Sequence, residues 1–289
     1  MKPTNLKVLY SRFLKRGTEK PSARRVTVDR DRARKLDRLQ KHGVITTVDL
    51  LESLPRLSPD LKLFGIELVR LLNVYQAVPV LIQMMSGENV RLACADTLSR
   101  LKPARKVTQV FLEIGTRELA SLCPNRSWLN AVILGLNVSD DRRAIELLVT
   151  IFERSDLPGW VRGDAADKLG CANFVNDRRT RLFRRCRQGA LRGLNDDSID
   201  VQFGSMYLIG ALCSHGTQER RTNLQEFKSA LPRLRQIAKN DQRLAPGYWW
   251  PMSAEAADVI NCIAEGHWPD PDAGERWVGN TARGEWNRD

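Results

Sequence analysis

The sequence predicts an all-α fold on three observations. Leu, Ala and Arg outnumber the strand formers in almost every window, and aromatic residues make up only 7% of the chain, whereas strands are built from β-branched and aromatic residues. From about residue 30 onward, apolar residues recur at helical spacing in segments of 11 to 18 residues. Short breaks carrying Asn, Asp, Gly, Pro or Ser separate these segments, and such clusters are where helices stop.

The chain has 289 residues, 42% of them hydrophobic and 28% charged. That allows one long domain or two short ones, and it is too apolar for a chain disordered throughout. No apolar run reaches even twelve residues, short of the roughly 20 that a membrane-spanning helix needs. Six cysteines, Cys94, Cys123, Cys171, Cys186, Cys213 and Cys262, stand apart with no CxxC pair. With no apolar signal-peptide core at the amino end, they read as reduced, buried thiols of a soluble, cytoplasmic protein.

Catalytic fingerprints are missing from the sequence. It holds no GxxxxGKS/T loop, GxGxxG turn, HExxH, GxSxG or EF-hand loop, and its three histidines, His42, His215 and His267, lie far apart. Cys213 and His215 are two positions apart, so on a helix they point to opposite sides and form no nucleophile pair. The reading implies no metal, no cofactor and no catalytic residue.

Charge divides the chain into three parts. The formal net charge is +12, and residues 1–43 alone hold fourteen basic and four acidic residues, so nearly all of the excess sits in a basic amino-terminal arm. Within it Leu6, Leu9, Phe13 and Leu14 share one helical face ringed by cations, which suits a capping helix or, alternatively, a targeting helix. Residues 44–266 carry the helical segments. Residues 267–289 form an irregular acidic tail: eight acids face three arginines from Met252 to the end, and Pro269, Pro271 and several glycines break any helical period.

The helical segments repeat. Val90, Arg91, Cys94, Ala95, Leu98 and Ser99 superpose without gaps on Val161, Arg162, Ala165, Ala166, Leu169 and Gly170, then on Val201, Gln202, Ser205, Met206, Ile209 and Gly210. Leu61, Lys62, Gly65, Ile66, Val69 and Arg70 fit more loosely. The starts lie 29, 71 and 40 residues apart, and the long interval leaves room for a degenerate copy near Trp128–Leu136. Each frame places its small residues on one face, where a neighbouring helix can approach closely. A second amphipathic helix follows each copy, at Ala77–Met85, Arg105–Leu119, Ala144–Phe152, Arg179–Leu194 and Leu224–Ile237. Such pairs stack antiparallel into a superhelix.

The Val-Arg, Ala-Ala, Leu-Gly pattern resembles the bacterial HEAT-like repeats over roughly residues 44–266, most closely in the copies at Val90 and Val161. The resemblance implies an α-solenoid superhelix of stacked antiparallel helix pairs. It implies little about function, since such repeats serve as scaffolds, chromophore-lyase components and DNA-repair enzymes.

Binding residues are sought in the charge pattern. Arg accounts for 34 of the 46 basic residues, and its planar fork grips phosphate or carboxylate with two bonds where Lys offers a point charge. Between positions 178 and 192 stand seven arginines and no acid: Arg178, Arg179, Arg181, Arg184, Arg185, Arg187 and Arg192. A solvated face normally mixes both signs. Relief comes either from a bound polyanion or from the chain's own acidic stretch, Glu255–Asp289.

Together with Arg24 and Arg25 of the arm, these arginines are expected to engage an acidic protein or a nucleic acid, in a scaffold without catalysis. The alternative is an enzyme resembling HEAT-like alkylpurine DNA glycosylases, with Asp164 one turn from Trp160 as an anion for a cationic sugar. Trp249, Trp250, Trp268, Trp277 and Trp286 crowd the carboxy-terminal end, where they are expected to cover the last repeat.

Overall fold

Our computed structural model of the chain describes residues 47–101, 104–136, 141–172, 178–214, 220–247 and 250–268. The basic arm 1–43 and all but the first two residues of the tail 267–289 lie outside them. Among the described residues every regular element is a helix, joined by one isolated antiparallel bridge between Leu244 and Pro251. None of these helices is long and apolar enough to cross a membrane. The chain divides into two compact units, Met1–Phe111 and Leu112–Asp289.

The first unit holds α1 (Thr47–Ser53), α2 (Pro59–Leu71), α3 (Val78–Met84), α4 (Glu88–Arg100) and the start of α5 (Ala104–Ala120). Pro59 and Pro79 stand in the first turns of α2 and α3, where an amide hydrogen would have no helical partner. Both helices pack on α4, enclosing Ile66, Val69, Leu81, Cys94, Ala95 and Leu98. At the head of α4 the Arg91 Nε donates back to the Met85 carbonyl at 3.0 Å.

The second unit continues through α6 (Arg126–Gly135), α7 (Arg142–Glu153), α8 (Gly159–Gly170), α9 (Arg181–Gly193), α10 (Ile199–Ser214), α11 (Arg220–Phe227), α12 (Leu231–Asn240) and α13 (Met252–Glu265). Side-chain caps start several of them: Asn125 accepts from the Trp128 amide, Asp141 from that of Arg143 and Thr180 from that of Phe183. Gly266 closes α13 in the left-handed conformation, φ 77°, a conformation that glycine adopts without steric penalty.

Packing alternates along this unit. Helices α6, α8, α10 and α13 touch one another in succession as a first row. Helices α7 and α9 touch each other in a second row, and α7 lies on α8, α9 on α10 and α12 on α13. Every frame read from the sequence falls on an alternate helix: Leu61 on α2, Val90 on α4, Trp128–Leu136 on α6, Val161 on α8 and Val201 on α10. The small residues Ala95, Ala166 and Ser205 at the frame centres are fully buried. The expected single helix Leu224–Ile237 is instead α11 and α12 with a 3-10 turn at Lys228–Ala230 between them. Pro232, in the first turn of α12, cannot donate to a continuing helix.

The tightest approach joins α8 to α10. A methyl group on Gly163 would lie 2.5 Å from the Asp200 carbonyl carbon and oxygen, and Gly204 faces the Gly163 carbonyl and the Ala166 methyl. Beside this contact runs a series of polar bonds between successive copies. Arg162 donates to the Leu157 carbonyl at 3.2 Å and grips Asp196 with both terminal nitrogens, at 2.7 and 3.2 Å. Gln202, in the same frame position, donates to the Asp196 carbonyl at 2.5 Å. Its own carbonyl accepts from Arg243 at 3.0 Å, which pairs with Asp241. Burial pushes the Asp196 carboxyl up, but the Arg162 guanidinium and the Ser198 amide outweigh it and hold the group below the usual carboxylate range.

Arg162 and Asp196 are therefore expected to act as a pair. In a double-mutant cycle with Arg162→Ala and Asp196→Ala, followed by urea unfolding, the coupling should be about 1–3 kcal/mol. A coupling near zero would mean that the bridge does not help to hold α8 against α10.

Candidate functional site

The arginine-rich segment folds as the approach to α9 and as α9 itself. Thr180 caps the helix, and Leu182, Phe183, Cys186, Gly189, Ala190 and Gly193 form its buried side. Those residues leave only the remaining arc for charge, so the arginines fan outward from one edge of the helix to the other.

Their environments differ. Arg178 is not a surface group: its guanidinium pairs with Glu226 at 2.6 Å, donates to the Asn223 side chain and lies over the Phe183 ring at 5.6 Å. Asn223 in turn donates to the Cys213 carbonyl at 3.2 Å. Arg185, half-buried, pairs with Glu153 of α7, and Arg192 reaches the same carboxylate at 3.9 Å with 66% of its side chain exposed. Arg187 is half-buried, with its Nε enclosed and without a hydrogen-bond acceptor. Arg179, Arg181 and Arg184 are exposed. Arg24 and Arg25 lie outside the described residues.

Relief of the positive charge thus comes partly from within the described residues, and most of the acidic stretch proposed for it lies outside them. Glu153 and Glu226 supply it, from the helices beside α9. Glu255 is fully buried and accepts from the Trp250 indole at 3.2 Å, and residues 269–289 lie outside the described part.

Sequence reasoning missed a second group of cations. Lys228, Arg235 and Lys239 are exposed along the turn before α12 and on α12 itself, with Arg233 half-buried among them. Arg233 of α12 donates to the Leu194 carbonyl at 3.2 Å, just past the end of α9, while α11 before it meets the approach to α9 through Glu226 and Arg178. The signal that singled out residues 178–192 is present here too: residues 228–240 hold four cations and no acid.

The first row carries the opposite sign around Asp164. Trp160 is 37% exposed one turn before it, as the sequence implied. Burial by the surrounding helices pushes the exposed-tipped Asp164 carboxyl up to about 6, with Asp167 and Asp200 adding like charge and Lys168 opposing them. Arg162 is engaged by Asp196, and Lys168 by Asp167 at 3.0 Å. An anion meant to steady a cationic sugar at a phosphate backbone works best ionised among cations; here Asp167 and Asp200 face it together with Lys168, itself held by Asp167.

Of the six thiols expected to be buried, Cys94, Cys186, Cys213 and Cys262 are, whereas Cys123 and Cys171 are exposed, each lying just past the end of a helix. Burial pushes the Cys94, Cys186 and Cys213 thiols up to about 12, far from the thiolate that reacts. Among the described residues no group of His, Cys, Asp and Glu is placed to hold a metal ion. His42 and His215 lie outside those residues, and His267 bonds the Trp268 carbonyl at 3.0 Å. Trp268 stacks on Tyr207 of α10 with ring centroids 5.7 Å apart and fills the space over Gly210. The end of the last helix is thus folded back onto the first row. Compared with known protein families, curated proteins and solved structures, the chain matches none of them.

These placements separate supporting arginines from presented ones. Arg178→Gln should lower unfolding free energy by about 2–4 kcal/mol, because it leaves Glu226 half-enclosed without its cation. Arg181→Gln should change it by no more than about 0.5 kcal/mol. Equal effects of the two substitutions in urea unfolding would contradict the division.

Proposed function

We propose that the chain is a non-catalytic, HEAT-like helical-repeat scaffold that engages an acidic partner through the outer faces of α9 and α12. The solenoid reading is supported by the recurrence of the frame on alternate helices. It is supported too by the shared habit of Arg91, Arg162 and Gln202 in donating back to a carbonyl before their own helix. A surface built by repetition presents one face of many helices side by side, and that suits binding better than chemistry.

One observation carries the binding assignment. Arg181, Arg184, Arg235 and Lys239 are exposed on α9 and α12, while the acids Glu153 and Glu226 near α9 are held by Arg185 and Arg178. Like charges gathered without local compensation attract a polyanion. The glycosylase alternative has less support, since the cations nearest Asp164 are engaged, Arg162 by Asp196 and Lys168 by Asp167.

Retention on immobilised heparin, used as a generic polyanion, tests this assignment. The triple variant Arg181→Gln, Arg184→Gln, Arg235→Gln should elute at clearly lower salt than the wild-type chain, and Arg24→Gln with Arg25→Gln should add a further decrease. Elution of the triple variant at the wild-type salt concentration would remove α9 and α12 from the binding surface.

A further inference from the structure

The first row also holds a slot shaped for an aromatic ring. Gly170 and Gly210 close two copies of the frame at the same position, and at both a ring from a later element lies where a side chain would stand. A methyl group on Gly170 would meet the Tyr207 ring of α10 at 2.7 Å. One on Gly210 would collide with the six-membered ring of the Trp268 indole. Bare backbone at these two positions makes room for a flat group.

The two rings have different origins. Tyr207 belongs to the copy that follows Gly170, whereas α13, which follows α10 in the row, is not a copy of the frame. The ring over Gly210 comes instead from beyond that helix. Gly266 turns the chain back in the left-handed conformation, and two residues later Trp268 stacks on Tyr207, with centroids 5.7 Å apart and planes inclined by 27°. That separation lies inside the favourable range for aromatic pairs, roughly 4.5–7 Å. Trp268 is half-buried, unlike Trp250, which is 3% exposed. Helix α13 itself is anchored by its own side chains, Met252, Ala256, Val259, Cys262 and Ile263, all fully buried.

We infer that the slot over Gly210 and beside Tyr207 is a recognition site for an aromatic side chain of a partner peptide, closed in the free chain by Trp268 as an internal ligand. The occupant seen there defines the chemistry: a planar ring with one face on Tyr207 and its edge on bare backbone. Tryptophan is among the side chains most used as buried anchors between proteins. A ring tethered two residues past α13 acts at an effective concentration of about a millimolar or more. A free peptide must displace it, so the closed chain binds weakly and the opened chain binds well.

The probe is a fluorescein-labelled peptide with the chain's own residues 265–271, and its binding to the full-length chain is followed by anisotropy. Trp268→Ala should bind it at least about ten-fold more tightly than the wild-type chain, because the tethered competitor is gone. The same peptide carrying Trp268→Ala should not bind. In the Trp268→Ala chain, adding Gly210→Ala puts a methyl group into the slot and should abolish binding, although alanine favours the helix. In the wild-type background, Gly210→Ala alone should expel the indole. Acrylamide should then quench tryptophan fluorescence more strongly, with helical circular dichroism unchanged.

Equal binding of the peptide by the wild-type and Trp268→Ala chains would overturn the inference, as would binding that Gly210→Ala leaves intact. Unchanged quenching in Gly210→Ala would remove Trp268 from the slot. Loss of cooperative urea unfolding in Trp268→Ala would make the ring part of the core and not a releasable ligand, and would end the proposal. The cationic surface is untouched by any of these outcomes.

Discussion

The contact between α8 and α10 is the constraint on which the second unit depends. Gly163 brings its backbone against that of Asp200, and Gly204 against the Gly163 carbonyl, so two helices meet at a distance that no larger side chain would allow. Once α8 and α10 are that close, Ala165, Ala166, Ser205 and Met206 close the space between them with no exposure at all. The surrounding elements follow from this pair. Helix α7 lies on α8, α9 on α10, and α13 continues the row beyond α10. Arg162 and Asp196 then tie the amino-terminal ends of the two central helices from outside the apolar layer.

This packing also decides which charges reach solvent. The side of α9 turned to α10 and α7 consumes its apolar and small residues, so Arg181, Arg184 and Arg192 are left on the outer arc. Arg185 at the edge of that arc meets Glu153, and Arg178, turned inward just before the helix, meets Glu226. The positions in the middle, Arg181 and Arg184, meet no acid among the described residues. The candidate surface is therefore a by-product of helix stacking as much as of composition. On the first row burial raises the Asp164 pKa to about 6, with Asp167 and Asp200 adding to it and Lys168 opposing.

Much of the helical order was legible because the frame is built from residue types with one structural reason each. Val161 and Leu169 fill space while Ala165 and Ala166 permit approach, and the same face recurs at Val90 and Val201. Even the degenerate copy near Trp128 coincides with α6. Legibility failed where the decisive partner lies far off in sequence. Nothing local marks Arg178 as an inward-facing residue; its partners are 45 and 48 positions away. Asp196 as the mate of Arg162 is 34 positions away. Pro232 was a visible warning that Leu224–Ile237 would not be one helix, and the acid-free run 228–240 was a visible pointer to the second half of the cationic surface. The place of α13 in the first row was not marked by a copy of the frame.

The most direct test of this account is the unfolding stability of the single variant Gly163→Ala. In an ordinary helix interior, alanine is favoured over glycine by about 1 kcal/mol, so an uncrowded position would be stabilised. If the closeness of α8 and α10 organises the unit, the added methyl must push against the Asp200 backbone, and urea unfolding should show a net loss of about 1–3 kcal/mol. A midpoint at or above that of the wild-type chain would contradict the account.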